Sequence, residues 1–78
     1  MQPQPEVEGR AMGVLAAALA IGVSSIGAGI AIYGATSAGA AAIAEREELA
    51  VWIIVFAGLG EGLAIYGLVI AIMILGML

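Results

Sequence analysis

From Ala11 to Ala44 the chain runs 34 positions without a charged residue. A charged break, Glu45-Arg46-Glu47-Glu48, follows. From Leu49 to Leu78 another 30 positions are apolar except for Glu61. About 20 apolar residues suffice for a helix to cross a bilayer core about 30 Å thick. Each run therefore predicts one membrane-spanning helix with length to spare. The break is too short for anything but a tight reversal, so the two helices form an antiparallel hairpin. Strands are excluded. The apolar positions do not alternate, and an open sheet in lipid would leave backbone groups unpaired. The expected organisation is a polar segment at 1–10, extended or frayed because it holds both prolines, a first helix at 11–44, a loop at 45–48 and a second helix at 49–78.

Placement of small and large residues changes this picture from two generic spans to two different helices. In the first, Ala17, Ala20, Ser24, Gly27, Ala31, Gly34, Ala38 and Ala41 follow a 3,4,3,4 spacing with no large side chain. Small seams let helices approach closely in lipid, where association depends on packing. A second small stripe, Ala18, Gly22, Ser25 and Gly29, lies beside the first, and Leu19, Val23, Ile26, Ile30 and Tyr33 form a bulky face. Six glycines fall in this helix. Each costs about 1 kcal/mol of helix propensity against Ala, an expense that close packing on more than one side would account for. The second helix is bulky throughout, with Trp52 just inside the charged break, where interfacial aromatics concentrate. Small helices lining an inner ring of copies, with bulky helices outside against lipid, is the arrangement this grain suggests. The segments Gly27–Gly34 and Gly60–Gly67 also match at six of eight positions, as an inverted repeat would leave them.

Composition confirms the class and removes others. Of 78 residues 64% are hydrophobic and 10% charged, against about a quarter charged in a soluble domain. So short a chain cannot hide that much apolar surface in its own core. There is no Cys and no His, which excludes disulfides, thiolate or imidazole metal sites and most catalytic triads. Two arginines against six glutamates leave nucleic-acid binding without an electrostatic basis. No metal site and no cofactor is expected. With one arginine on either side of the first helix, the positive-inside rule does not orient the hairpin.

Glu61 is the expensive residue. It lies 12 residues beyond Leu49, about 18 Å along the helix from its loop end. A charge there costs about 2.5–3.5 kcal/mol on insertion scales, and such residues mark ion pathways and proton relays. Removal from water disfavours the charged form of a carboxyl. Glu61 would then hold a proton when it faces lipid and release it when it faces water or a cation. Gly60 and Gly62 flank it and leave room for a neighbouring helix; Leu63 follows. Tyr66 could offer its hydroxyl to a carboxylate on an adjacent helix. No Gln, Asn, Ser or Thr lies within a turn of Glu61, and the first helix offers Ser24 and Ser25 but no Gln or Asn. A hard cation such as Na⁺ wants several oxygens, so H⁺ is the expected ion.

Glu61-Gly62-Leu63-Ala64-Ile65-Tyr66-Gly67-Leu68 resembles the ion-site helix of the proteolipid subunits of rotary ATPases, named c in ATP synthases and K or c in vacuolar and archaeal types. Ala20-Ile21-Gly22, Gly27-Ala28-Gly29-Ile30-Ala31 and Ala42-Ile43-Ala44-Glu45-Arg46 are similar to the vacuolar and archaeal branch as well. The resemblance covers about residues 12 to 77. It departs in having Gly60 where members often have Pro. Gly62 and Leu63 stand where sodium-binding members have Thr and Gln. It implies a ring of identical all-α hairpins in an archaeal or bacterial cell membrane, without a catalytic site for ATP. Each Glu61 would exchange protons with a stator subunit whose arginine favours deprotonation. The Glu45, Arg46, Glu47, Glu48 loop would face the cytoplasm and contact a central stalk, with both termini outside. Two other classes fit the hairpin alone: a holin-like or pore-forming protein, and a small assembly or regulatory membrane subunit. The first does not explain a single Glu between two glycines.

Overall fold

A computed structural model describes residues 5–78. They form two antiparallel helices side by side in a slab of 66 × 20 × 6 Å. Helix α1 spans Pro5–Glu45, 41 residues, and α2 spans Ala50–Gly76, 27 residues. The first helix starts earlier than the apolar pattern suggests. Pro5 opens it, at a position where the missing N–H and fixed φ are tolerated. Glu6 and Glu8 stand in its first turn, where negative charge complements the helix dipole. The extended or frayed segment expected through Arg10 is therefore helical from residue 5 onward; residues 1–4 lie outside the described residues.

The reversal has the four residues expected, displaced by one position to 46–49. Glu45 still belongs to α1. Arg46 alone is extended, with φ −140° and ψ 102°, and Glu47–Leu49 make a single 3-10 turn that leads into α2. The Arg46 amide donates to the Ala42 carbonyl at 2.8 Å, and the Leu49 amide to the Arg46 carbonyl at 3.1 Å. No residue among those described has a positive φ, so the turn needs no glycine. Arg46 and Glu48 form an exposed ion pair at 3.0 Å.

Glycine and alanine set the distance between the helices. Among the described residues, the only fully buried hydrophobic ones are Ala17, Ala28 and Ala71, joined by buried Gly39, Gly60 and Gly67. A Cβ on Gly67 would strike the Ser24 side chain and come within 2.6 Å of the Ala20 carbonyl oxygen. On Gly60 it would meet Ile32 Cγ1 at 3.2 Å and Ala31 Cβ at 3.3 Å. Gly39 receives Ile53, and Gly13 receives Leu78. These pairs fix the register along the whole hairpin. They also place the two repeated segments, 27–34 and 60–67, alongside one another at similar depth.

The small seam of α1 is divided by this packing. Ala17, Ala20, Ser24, Gly27 and Ala31 are buried or half-buried, whereas Gly34, Ala38 and Ala41 are exposed. In their place Ala35, Gly39 and Ala42 turn toward α2. A strict seven-residue repeat drifts by about 20° per heptad on a straight helix. Over this length the seam walks off the contact face. Both helices are long and apolar enough to cross a membrane, and only 11% of each apolar window is buried within the chain. Large side chains point outward on both, as at Ile30 and Ile54. An internal core of alanine and glycine, under a coat of large apolar side chains, is the inverse of a water-soluble protein.

Candidate functional site

Glu61 sits on α2 beside the helix contact, yet outside it. Gly60, one residue earlier, is pressed against Ala31 and Ile32. One residue is a rotation of about 100° on a helix, so Glu61 is carried off the contact face onto a flank. It is exposed, and among the described residues no side-chain hydrogen bond or ion pair within the chain reaches it. Gly62 faces open space, with nothing within 4 Å of where its Cβ would be. The two flanking glycines thus have different tasks. Gly60 seats α2 on α1, and Gly62 leaves space beside the carboxyl.

That flank is continuous with a groove of about 300 Å³ running toward the end of the hairpin opposite the loop. Val14, Ala18 and Ile21 of α1 and Leu68, Ile72 and Leu75 of α2 line it. Glu61 precedes Leu68 by seven residues and Ile72 by eleven, which returns it to the same helical row to within about 20°. On α1, Ser25 and Gly29 follow Ala18 by seven and eleven residues and share the flank in the same way. The second small stripe, Ala18, Gly22, Ser25 and Gly29, therefore borders the Glu61 side of the hairpin. Gly34 is sixteen residues from Ala18, about 160° round the helix. With Ala38 and Ala41 it borders the other side.

Tyr66 is not beside Glu61. Five residues of helix rotate it by about 140°, and it is 73% exposed on the flank away from the groove. Leu63 is exposed on that side too. Within one chain the hydroxyl and the carboxyl face opposite ways, and only a second copy could bring them together. Ser24 is also apart from Glu61. It packs at Gly67, six residues or about 9 Å along the axis from Glu61. Its hydroxyl donates to the Ile21 carbonyl at 3.1 Å. Thr36, which the sequence reading passed over, donates to the Ile32 carbonyl at 2.8 Å. Its place in an apolar helix was visible, but its inward-turned hydrogen bond was not. At the depth of Glu61 itself, α1 presents Ala31 and Ile32. No group of three or more His, Cys, Asp or Glu side chains converges among the described residues.

The loop residues Glu45, Arg46, Glu47 and Glu48 are all exposed at one end of the hairpin, far from Glu61. Arg46 is engaged with Glu48 through both its Nε and its Nη2. Glu45 and Glu47 make no ion pair among the described residues.

A hairpin of two membrane-length helices, closed on glycine and carrying one carboxyl at mid-helix, defines a small membrane proteolipid. Residues 15–74 match the family of the ATP synthase C subunit, and the chain belongs to that family. It is similar to the A-type ATP synthase subunit K of Sulfolobus acidocaldarius, with 38% identity over 65 residues. The match takes in 82% of the chain and 64% of the relative, so the chain spans somewhat under two thirds of that protein's length. No solved structure matches the chain.

Proposed function

We propose that the chain is the ring-forming proteolipid of an A-type rotary ATP synthase and carries protons on Glu61. The observation that carries this reading is the isolation of Glu61. It is the one carboxyl side chain between residues 49 and 78, it has no hydrogen-bond or ion-pair partner among the described residues, and it stands on a flank that a neighbouring copy could cover. Membership in the family of the ATP synthase C subunit and similarity to a subunit K support the assignment to a rotary complex. The chain itself takes part in ATP synthesis by coupling ion movement to rotation, without catalysing phosphoryl transfer.

The mechanism follows from the flanks. Copies related by rotation about a ring axis join the groove side of one hairpin to the opposite side of the next. Glu61 of one copy then meets the side that bears Leu63 and Tyr66 on its neighbour. Because helical side chains lean toward the helix N-terminus, the longer Tyr66 reaches back toward the depth of Glu61. A hydroxyl there holds the carboxyl in place while it faces lipid. At the stator subunit, water and an arginine replace this setting. A positive charge nearby favours the carboxylate, the proton leaves, and the site reloads from the other half-channel. Protons fit better than Na⁺, since Ala31, Ile32, Gly62 and Leu63 offer no side-chain oxygen and Ser24 is engaged elsewhere. The loop of Glu45, Arg46, Glu47 and Glu48 faces the cytoplasm and contacts the central stalk, and both termini face outside.

A hydrophobic carbodiimide tests the assignment, because it reacts with a protonated acid in lipid. Labelling should fall on Glu61 and spare Glu45, Glu47 and Glu48. Labelling confined to the loop acids refutes the proton carrier. Slower labelling of Glu61 in the presence of Na⁺ would replace H⁺ with Na⁺ as the ion.

A further inference from the structure

The hairpin is longer than a bilayer of ordinary thickness requires, and the excess lies at one end. On α1, Arg10 and Glu45 bound a stretch without charge. At 1.5 Å per residue they stand about 52 Å apart. A typical hydrocarbon core is about 30 Å thick, and headgroups bring the whole bilayer to about 40–45 Å. The two charged levels are therefore farther apart than the full thickness of such a membrane.

Trp52 locates the excess. It is exposed at the loop end of α2, where an indole prefers the membrane interface. An apolar core of about 30 Å measured from Trp52 ends near Ile72. Past that depth come exposed Met73, Leu75, Met77 and Leu78, with exposed Met12 and Leu15 of α1 beside them. Met77 is 83% exposed. These six form an apolar collar without a polar side chain. The nearest charge stands at the collar's outer rim, where Arg10 Nη2 donates to the Leu78 carbonyl at 3.0 Å. From Trp52 through Leu78, with Glu61 the one exception, the apolar surface of α2 and the two residues after it is about 39 Å tall.

Tilting does not absorb the difference. An average tilt of about 20° shortens 39 Å only to about 37 Å, and reaching 30 Å takes about 40°, the extreme of the observed range. We propose that the collar is covered by lipid acyl chains, so that this hairpin selects a hydrocarbon layer close to 39 Å thick and binds long-chain lipids in preference to ordinary ones. The occupant is argued from dimensions: one apolar height, broken only by Glu61 at mid-helix and ended by an interfacial aromatic at one rim and a cation at the other, is the profile of a lipid layer. The proposal rests on the membrane-spanning reading above.

Trp52 is the only tryptophan, which supplies a clean probe. The assembled full-length chain is reconstituted into vesicles of phosphatidylcholines whose monounsaturated chains increase from myristoleoyl through oleoyl and erucoyl to nervonoyl. Brominated forms of each lipid quench Trp52 and report relative binding. Binding should rise with chain length and favour erucoyl over oleoyl chains by about threefold, since each ångström of mismatch costs a fraction of a kcal/mol. A maximum at oleoyl or shorter chains overturns the proposal. Quenching by none of the lipids would instead overturn the membrane-spanning reading, and this proposal with it. The double variant Met73→Gln, Met77→Gln lowers the polar rim, and its optimum should move to shorter chains. An optimum that stays at the longest chains would show that the collar is not what the lipid reads.

Discussion

Adding one methyl group at Gly67 should open the hairpin more effectively than a larger change almost anywhere on its outer surface. The Cβ of Gly67→Ala would overlap the Ser24 hydroxyl and stand 2.6 Å from the Ala20 carbonyl oxygen. Ser24 is a short side chain that rotation could move. The carbonyl is backbone and cannot give way without displacing α1, so α2 has to move outward. Overpacking of this kind costs about 1–3 kcal/mol. Against it stands a gain of up to about 1 kcal/mol in helix propensity from replacing Gly by Ala. A net loss of about 1–2 kcal/mol is expected from these two opposing effects. Gly62→Ala is the matched control, since its Cβ meets nothing within 4 Å and only the propensity gain applies. The chain has no cysteine, so a pair can be introduced as a reporter. The ideal Cβ of Gly60 lies 3.3 Å from that of Ala31, just short of the separation of about 3.5–4.5 Å that a disulfide spans. In an Ala31→Cys, Gly60→Cys background, Gly67→Ala should slow oxidation about tenfold, which corresponds to about 1.4 kcal/mol. Gly62→Ala should not slow it. Equal rates for Gly67→Ala and the parent would refute the close approach at Gly67.

Three further outcomes follow from the proposed ring and from the loop. Glu61→Gln should assemble normally and abolish proton transport in reconstituted vesicles, because the amide has the carboxyl's shape without a transferable proton; a coupled Gln variant would sink the mechanism. Gly34→Leu points into open space in the isolated hairpin. It should therefore leave oxidation of the introduced cysteine pair unchanged while blocking ring assembly, as read by native mass measurement. An intact ring would show that the exposed half of the seam is no interface. Arg46→Ala removes an ion pair at 3.0 Å between side chains that are both about two-thirds exposed. Such pairs contribute about 0–1 kcal/mol, so thermal unfolding should shift little, and a large shift would mean that Arg46 does more than pair with Glu48.

Sequence pattern alone was enough for the two helices, the hairpin and the small-residue contact, because each is written in which residues occur and at what spacing. An apolar run has to be long to span a membrane, and an acid inside it is visible without coordinates. What the pattern left out depends on angles. The start of α1 at Pro5 follows from a proline's tolerance of the first helical turn, which competes with the reading of proline as a breaker. The seam from Ala17 to Ala41 looked like one interface because the letters repeat every seven residues. A straight helix does not repeat every seven, and the rotation that accumulates turns Gly34, Ala38 and Ala41 out of the contact. Likewise Tyr66 is near Glu61 in the sequence, but five residues put it on the other flank.

That drift bears on how the hairpin could both close and assemble. If the seam had kept to one face, α2 would have consumed all of it, and α1 would present small residues on the Glu61 side alone. Instead α1 has three kinds of surface. One, from Ala17 through Ala28 to Gly39, holds α2. The bulky ridge of Leu19, Val23, Ile26 and Ile30 is exposed and points away from α2. Between them lie two small-residue flanks, Ala18 to Gly29 on the Glu61 side and Gly34 to Ala41 on the other. Two different small flanks on opposite sides of one unit are what a head-to-tail interface requires, and a head-to-tail interface repeated by rotation closes into a ring rather than a dimer. Glu61 then falls at the junction of copies because Gly60 must face α1 to let the hairpin close. One residue of helix rotation separates the contact that makes the fold from the carboxyl that gives the ring its proposed task.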